Sequence, residues 1–286
     1  MNLRLYLRKK FKKKKKVHFI SDKESLRKLD LELNKGKLLA IDTEFDWRTT
    51  YFPKLSLIQI SSLQQLFLID CLKVNPKKVL KKYLEDESFL KIFHSVRSDT
   101  TVLSKCLFCK TKNVFDIQIA DRILSNEEIK SYGKIVKKFF PIELEKTETN
   151  SNWLKRPLTE NQIKYALDDV DFLLEIYSLQ KKKLIKKGLL NQAVTASSRE
   201  ADLGNESLKK LRLKKKSAKL SKRDKDIFIW REEIAEAENI PPTFIFKEKF
   251  LHKLSKIRPD DTQAKTKLMK IFGDSELTSK FISNFL

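Results

Sequence analysis

Glycine is scarce in this chain, with five in 286 residues, and no GxxxxGK[ST] stretch occurs, so there is no phosphate-binding loop for a nucleotide-driven motor. Cysteine is nearly as rare. Cys71, Cys106 and Cys109 cannot form an even disulfide framework, which excludes a disulfide scaffold and fits a reducing compartment. No uninterrupted apolar run reaches the roughly 18 residues a membrane span needs. The first residues, MNLRLYLRKKFKKKKK, carry charge where a signal peptide needs an apolar segment, so the expectation is a soluble, cytoplasmic protein with no membrane partner. Acidic residues are also few, 38 against 61 Lys and Arg, for a net charge of +23. Seventeen of those charges fall in two stretches, 1–16 and 206–223. That imbalance points to a polyanion, and nucleic acid is the expected partner.

The apolar pattern divides the rest. Four short apolar runs, 39–43, 55–61, 66–70 and 90–94, have strand length and composition. Helical spacing follows at 77–85, 98–107, 116–124, 128–139 and 159–182, and a first helix capped by Ser21 is expected ahead of the strands. The reading is a basic tail over 1–16, a mixed α/β domain over 17–195, a basic linker over 196–223 and a small all-helical domain over 224–286, with Trp230, Phe244, Leu254, Leu268 and Phe281 among its core candidates.

Three motifs carry chemistry. In AIDTEF, Asp42 and Glu44 are two apart on a strand and project from one face, either within reach of a shared cation or marking a solvated strand end. In HSVRSDTTVL, Asp99 opens an amphipathic helix after a buried strand, a place where an acidic residue also serves as a cap. In RPLTENQIKYALDDVDFLL, Thr159 caps a helix on which Tyr165 and Asp169 share a face. Asp169 falls at the edge of the apolar stripe, whereas Asp168 and Asp171 read as surface charges. His94 touches a terminal nucleotide or is structural, and Arg156 reaches phosphate or braces the last helix. The aromatics Phe45, Trp47, Tyr51 and Phe52 favour packing over base stacking, and Cys106-x-x-Cys109 lacks the second ligand pair of a zinc site.

An Asp-x-Glu strand, then HxxxxD, then a YxxxD helix, in that order, resembles the DEDD superfamily of 3′→5′ exonucleases, tyrosine subgroup, and within it the ribonuclease D family. DTEFDWRTTYFPKLSLIQI is similar to that family's first motif beyond its carboxylates, and NWLKRPLT to the stretch before its last. IWREEIAEAENIPPTFIF and KIRPDD resemble the HRDC domain, of which there is room for one. Asn152, Arg97-Ser98 and Ile117 depart from the family pattern without removing a ligand candidate. The resemblance implies a ribonuclease H-like mixed sheet followed by an HRDC-like domain. It also implies hydrolysis with release of 5′-mononucleotides from RNA, tRNA precursors above all. Two ions, Mg²⁺ or Mn²⁺, would be held by Asp42, Glu44, Asp99 and Asp169, with Asp42 bridging and Tyr165 orienting water. A DNA exonuclease and a catalytically silent RNA-binding module are the alternatives.

Overall fold

The computed structural model describes residues 15–62, 64–145 and 148–286, so all but two residues of the basic tail lie outside it. The chain forms two compact units. Of the described residues, the first holds 15–46 and 54–205, and the second holds Glu206–Leu286 together with Trp47–Pro53.

The first unit is built on a six-stranded sheet of order β1-β4-β3-β2-β5-β6. Its strands are β1 (Lys16–Ile20), β2 (Leu38–Asp46), β3 (Lys54–Ser62), β4 (Gln65–Asp70), β5 (Leu90–Phe93) and β6 (Val114–Asp116). β2, β3 and β4 pair antiparallel, while β1 on β4 and the β2–β5–β6 run are parallel. Sequence reading finds the four interior strands and misses the two edges, which are too short or too charged to show a pattern.

Helices cover both faces. On one, α1 (Lys23–Leu33), α2 (Lys77–Glu85) and α3 (Val96–Leu107) close a core containing Leu29, Ile41, Tyr83, Phe93 and Leu103. Asp22, not Ser21, caps α1, because its carboxylate accepts the Ser25 amide in a reciprocal capping box. On the other face, α4 (Ile117–Ser125), α5 (Tyr132–Phe139), α7 (Leu173–Lys186) and α8 (Leu190–Asn205) surround Ala40, Ile92, Phe115 and Ile176. The stretch expected as one helix over 159–182 is two, α6 (Glu160–Asp171) and α7, separated at Phe172. α6 lies against Leu57 and Leu68 through Ala166.

Residues 196–223, expected as a linker, hold the second half of α8, all of α9 (Leu208–Lys214) and the start of α10 (Lys222–Ala237). α8 buries Ala193, Ser197, Ala201 and Gly204, a stripe of small residues rather than a hydrophobic one.

In the second unit α9, α10, α11 (Pro242–Ile245), α12 (Leu251–Ser255), α13 (Ala264–Phe272) and α14 (Ser275–Phe285) enclose Phe228, Leu254, Leu268 and Phe281. Trp230 packs edge-on against Phe281, with ring centroids 5.5 Å apart. Phe244, expected in this core, is instead 66% exposed. Buried Glu232 is held by Arg212 at 2.8 Å and Arg231 at 3.0 Å, so the ion is fully countered where solvent cannot reach it.

Candidate active site

β2 sets the site. Leu39 and Ile41 enter one core, so Ala40, Asp42 and Glu44 turn to the opposite face, the one covered by α6 and α7. Asp42 pairs with Gln59 and Glu44 with Leu57 on β3, and the register slips at Glu44/Phe45, where a bulge ends the regular run. α6 begins with Thr159 capping Gln162 in a capping box, which fixes the helix start six residues before Tyr165. One turn later Asp169 arrives at the β2 carboxylates: each of Asp42, Glu44 and Asp169 offers an oxygen within 4.8 Å of the others.

Asp99 lies beside this trio rather than within it. Thr43, on the other face of β2, donates from Oγ1 to Asp99 Oδ1 at 2.7 Å, and the carboxylate is buried in the first turn of α3. That turn is fixed by Asp116, which accepts the amides of Ser95 (3.1 Å), Val96 (2.9 Å) and Gln118 (2.8 Å) and so caps α3 and α4 at once. Ser95 sits at φ 65, a left-handed residue between β5 and α3 that turns the chain toward the site.

The electrostatics are those of carboxylates crowded together away from water. Burial, and then the charge of Asp169, raise the Asp42 carboxyl well above the usual carboxylate range. Burial, followed by Asp42, Asp169 and Asp99, pushes Glu44 up to about 10. Asp99 is raised by burial and by Asp42, against the opposing Thr43 hydrogen bond. Such groups stay charged only with a cation between them. Four oxygen donors and no nearby thiol fit hard divalent ions. Tyr165 is half-buried 6.0 Å from the Trp153 ring, and burial with the Asp169 charge raises its phenol, so the hydroxyl keeps its proton and acts as a hydrogen-bonding group.

The remaining candidates are occupied structurally. His94 places Nε2 3.2 Å from the Lys130 carbonyl and 3.1 Å from Gln118 Nε2, and its ring lies against Tyr132. Arg156 clamps both oxygens of Asp70 at 2.8 Å and donates to the Trp153 carbonyl at 2.7 Å, so its contacts are those of a brace beneath the last motif. Asp168 is half-buried, and burial raises its carboxyl to about 6, while its backbone carbonyl accepts the Tyr132 hydroxyl at 3.1 Å. Asp171 pairs with Lys15 at 3.1 Å, and the same ammonium reaches Glu175 at 3.0 Å. Thr43, Asp116, Tyr132 and Lys15 are supports that sequence reading does not find. Only Asp116, an acid immediately before a helix, carries a local signal.

Residues 17–185 match the family described as 3′-5′ exonuclease, and residues 223–276 match the HRDC domain. A ribonuclease D of Desulfotalea psychrophila is 30% identical over 278 residues, covering 91% of this chain and 74% of that one. The chain belongs to the ribonuclease D family. The ribonuclease D of Pseudomonas paraeruginosa is 31% identical, with 85% of this chain and 66% of that protein covered. The chain thus spans about two thirds to three quarters of these relatives. In fold it is similar to the crystal structure of Escherichia coli RNase D, described as an exoribonuclease involved in structured RNA processing, with a TM-score of 0.82 at 23% identity, covering 93% of this chain and 73% of that one. Ribonuclease D is thereby the family to which both the mixed-sheet exonuclease domain and the helical HRDC domain attach, and divalent metal use comes with it. Among the described residues, no helix is long and apolar enough to cross a membrane.

Proposed function

We propose that this chain is a 3′→5′ exoribonuclease that removes 5′-mononucleotides one at a time from RNA, with precursor tRNA as the substrate and the cytoplasm as its place of action. The observation that carries the site is the meeting of Asp42, Glu44 and Asp169, three oxygens within 4.8 Å drawn from a strand and a helix more than a hundred residues apart. Two divalent cations, Mg²⁺ or Mn²⁺, bound at these carboxylates would supply a hydroxide near neutral pH and charge stabilisation at the leaving 3′-oxygen. Asp42, Glu44 and Asp169, with Asp99 beside them, are the residues that would hold these ions. Thr43 holds one oxygen of the Asp99 carboxylate through its hydroxyl. The Tyr165 hydroxyl, on the same helix face as Asp169, keeps its proton and orients the attacking water by a hydrogen bond.

The test is a 3′-extended tRNA labelled at its 5′ end, incubated with Mg²⁺, with Mn²⁺ and with EDTA, beside the Asp42→Asn variant and a DNA strand of matched sequence. The expected result is a metal-dependent ladder shortening from the 3′ end, absent with EDTA and reduced at least about a thousandfold in the variant. Unchanged cleavage by Asp42→Asn would remove the site assignment. A preference for the DNA strand would move the substrate.

A further inference from the structure

α3 carries Asp99 in its first turn, and at its other end Phe108 adopts φ 52, ψ 47, the left-handed conformation. Three other non-glycine residues beyond Ser95 share that region, and all are asparagines, Asn113, Asn126 and Asn239, a residue type that tolerates it. A helix end of this geometry is ordinarily served by Gly or Asn. A phenylalanine there is strained, and burial does not compensate, because its side chain is 67% exposed.

The ring is displayed beside a concentration of positive charge. Lys77 Nζ lies 4.3 Å from the ring centroid, and Lys81 Nζ donates to the Phe108 carbonyl at 3.3 Å. Both lysines line a groove of about 530 Å³ whose other walls are Asn75, Lys78 and Lys82. Four of its five lining residues are lysines, and two of them, Lys77 and Lys78, open α2, where the helix dipole is already positive. The first turn of α2 contains no acid, and its N-cap, Pro76, supplies no capping side chain. Lysines at that end oppose the helix and favour an anion. Asp30 and Glu85 pair with Lys82 and Lys81 at 3.3 and 3.6 Å, farther along α2.

We propose that Phe108 with Lys77, Lys78 and Lys81 forms an RNA-anchoring exosite, in which a base stacks on the exposed ring while flanking phosphates rest on the ammonium groups. Stacking on an aromatic side chain beside a basic groove is the general means of holding single-stranded nucleic acid without reading its sequence. Nine helical steps lead from Asp99 to Phe108, about 14 Å along the axis at 1.5 Å per residue. The exosite is therefore remote from the scissile bond and holds a part of the strand other than its last nucleotide. It contributes to binding a long strand equally in the ground and transition states, which lowers KM without changing kcat.

The role rests on the exoribonuclease reading, and the experiment separates the two. Full-length Phe108→Gly and Lys77→Ala/Lys78→Ala variants are compared with the parent on oligoadenylates of about thirty and about three nucleotides in Mg²⁺. The expected result is a KM for the long strand raised roughly five- to tenfold in each variant, with kcat and all constants for the trimer unchanged. The lysine variant also loses about 0.7 from the salt slope of binding for each phosphate contact removed. Phe108→Gly keeps or raises the melting temperature, since glycine relieves the left-handed strain, so a loss of affinity is not a loss of folding. An unchanged long-strand KM in both variants overturns the exosite, and an effect confined to the lysine variant overturns the stacking role. If the parent shortens neither strand, the exonuclease reading fails. The exosite is then judged by fluorescence anisotropy with the labelled long strand, where equal Kd values for parent and variants overturn it.

Discussion

At the scale of single residues, the candidate site is paid for in stability whenever no cation is present. Asp42 and Glu44 have folded pKa values above those of free carboxyls, Glu44 rising to about 10. Below the unfolded pKa, near 4 to 4.5, both states are protonated and the groups are neutral toward folding. As pH climbs from there toward the folded values, the unfolded chain releases protons that the folded chain retains, and stability falls. Replacing one carboxylate by its neutral isostere removes part of that loss. In EDTA at pH 8, Asp42→Asn is expected to melt above the parent by about 1–2 kcal/mol, with the gap closing toward pH 5. Mg²⁺ or Mn²⁺ should stabilise the parent and leave the variant nearly unmoved. A thermal melt in which Asp42→Asn is no more stable than the parent at pH 8 would show that the three carboxylates do not repel one another in solution. Spacing placed Asp42 with Glu44 on one strand face and Asp169 with Tyr165 on one helix face, by a period of two and of four, while the joining of strand and helix into one site was implied only by the family resemblance. The role of Arg156 was not legible, since its partner Asp70 is 86 residues away and nothing local distinguishes a brace from a phosphate ligand. Asp168, read as a surface charge, is half-buried with its carboxyl raised to about 6 by burial, a degree of covering that a helical wheel, which counts only angle, does not show.

At the scale of elements, long apolar patterns were readable and small-residue packing was not. β6 has only three residues, too few to alternate, and the break at Phe172 interrupts a helical stripe that continues on either side of it. α8 was hidden because its contact face is made of Ala193, Ser197, Ala201 and Gly204, which a hydrophobic count scores as loop. Physically those residues matter for what they lack. A Cβ on Gly204 would stand 2.7 Å from the Arg97 carbonyl oxygen and overlap the Thr100 side chain, so the absence of a side chain lets α8 lie directly on α3. Ser197 Oγ, on the same face, accepts the Asp116 amide at 3.0 Å and donates to the Ala193 carbonyl at 2.7 Å, which ties the α8 contact to the residue that caps α3. Gly204→Ala is therefore expected to destabilise by about 1–3 kcal/mol despite the better helix propensity of alanine. Because the displaced helix carries Asp99, kcat should fall as well. Chemical denaturation decides the first point, and a variant as stable as the parent would mean that α8 shifts without cost.

At the scale of the whole molecule, the boundary between the units does not follow the chain. Trp47–Pro53, the segment joining β2 to β3 directly after Asp46, belongs to the second unit. There Tyr51 is completely buried, Arg212 stacks 4.6 Å from its ring centroid, Trp47 Nε1 donates to the Tyr51 carbonyl at 2.7 Å, and the Phe52 amide donates to Asn239 at 3.0 Å. The sequence showed these aromatics as packing residues but not where they pack, since their partners lie more than 150 residues later. A chain ending at Asn205 would leave Trp47, Tyr51 and Phe52 without that core, at a cost of about 2–3 kcal/mol for each large side chain returned to water. The loss falls on a loop one residue beyond the β2 bulge that presents Glu44. The shortened protein is thus expected to aggregate or to melt well below the parent, with kcat reduced on even the shortest RNA, where a detached substrate-gripping appendage would change only KM on long strands. A monomeric 1–205 fragment with the parent's kcat on a trinucleotide would show that the β2–β3 loop holds its shape alone, and that the helical unit contributes grip rather than support.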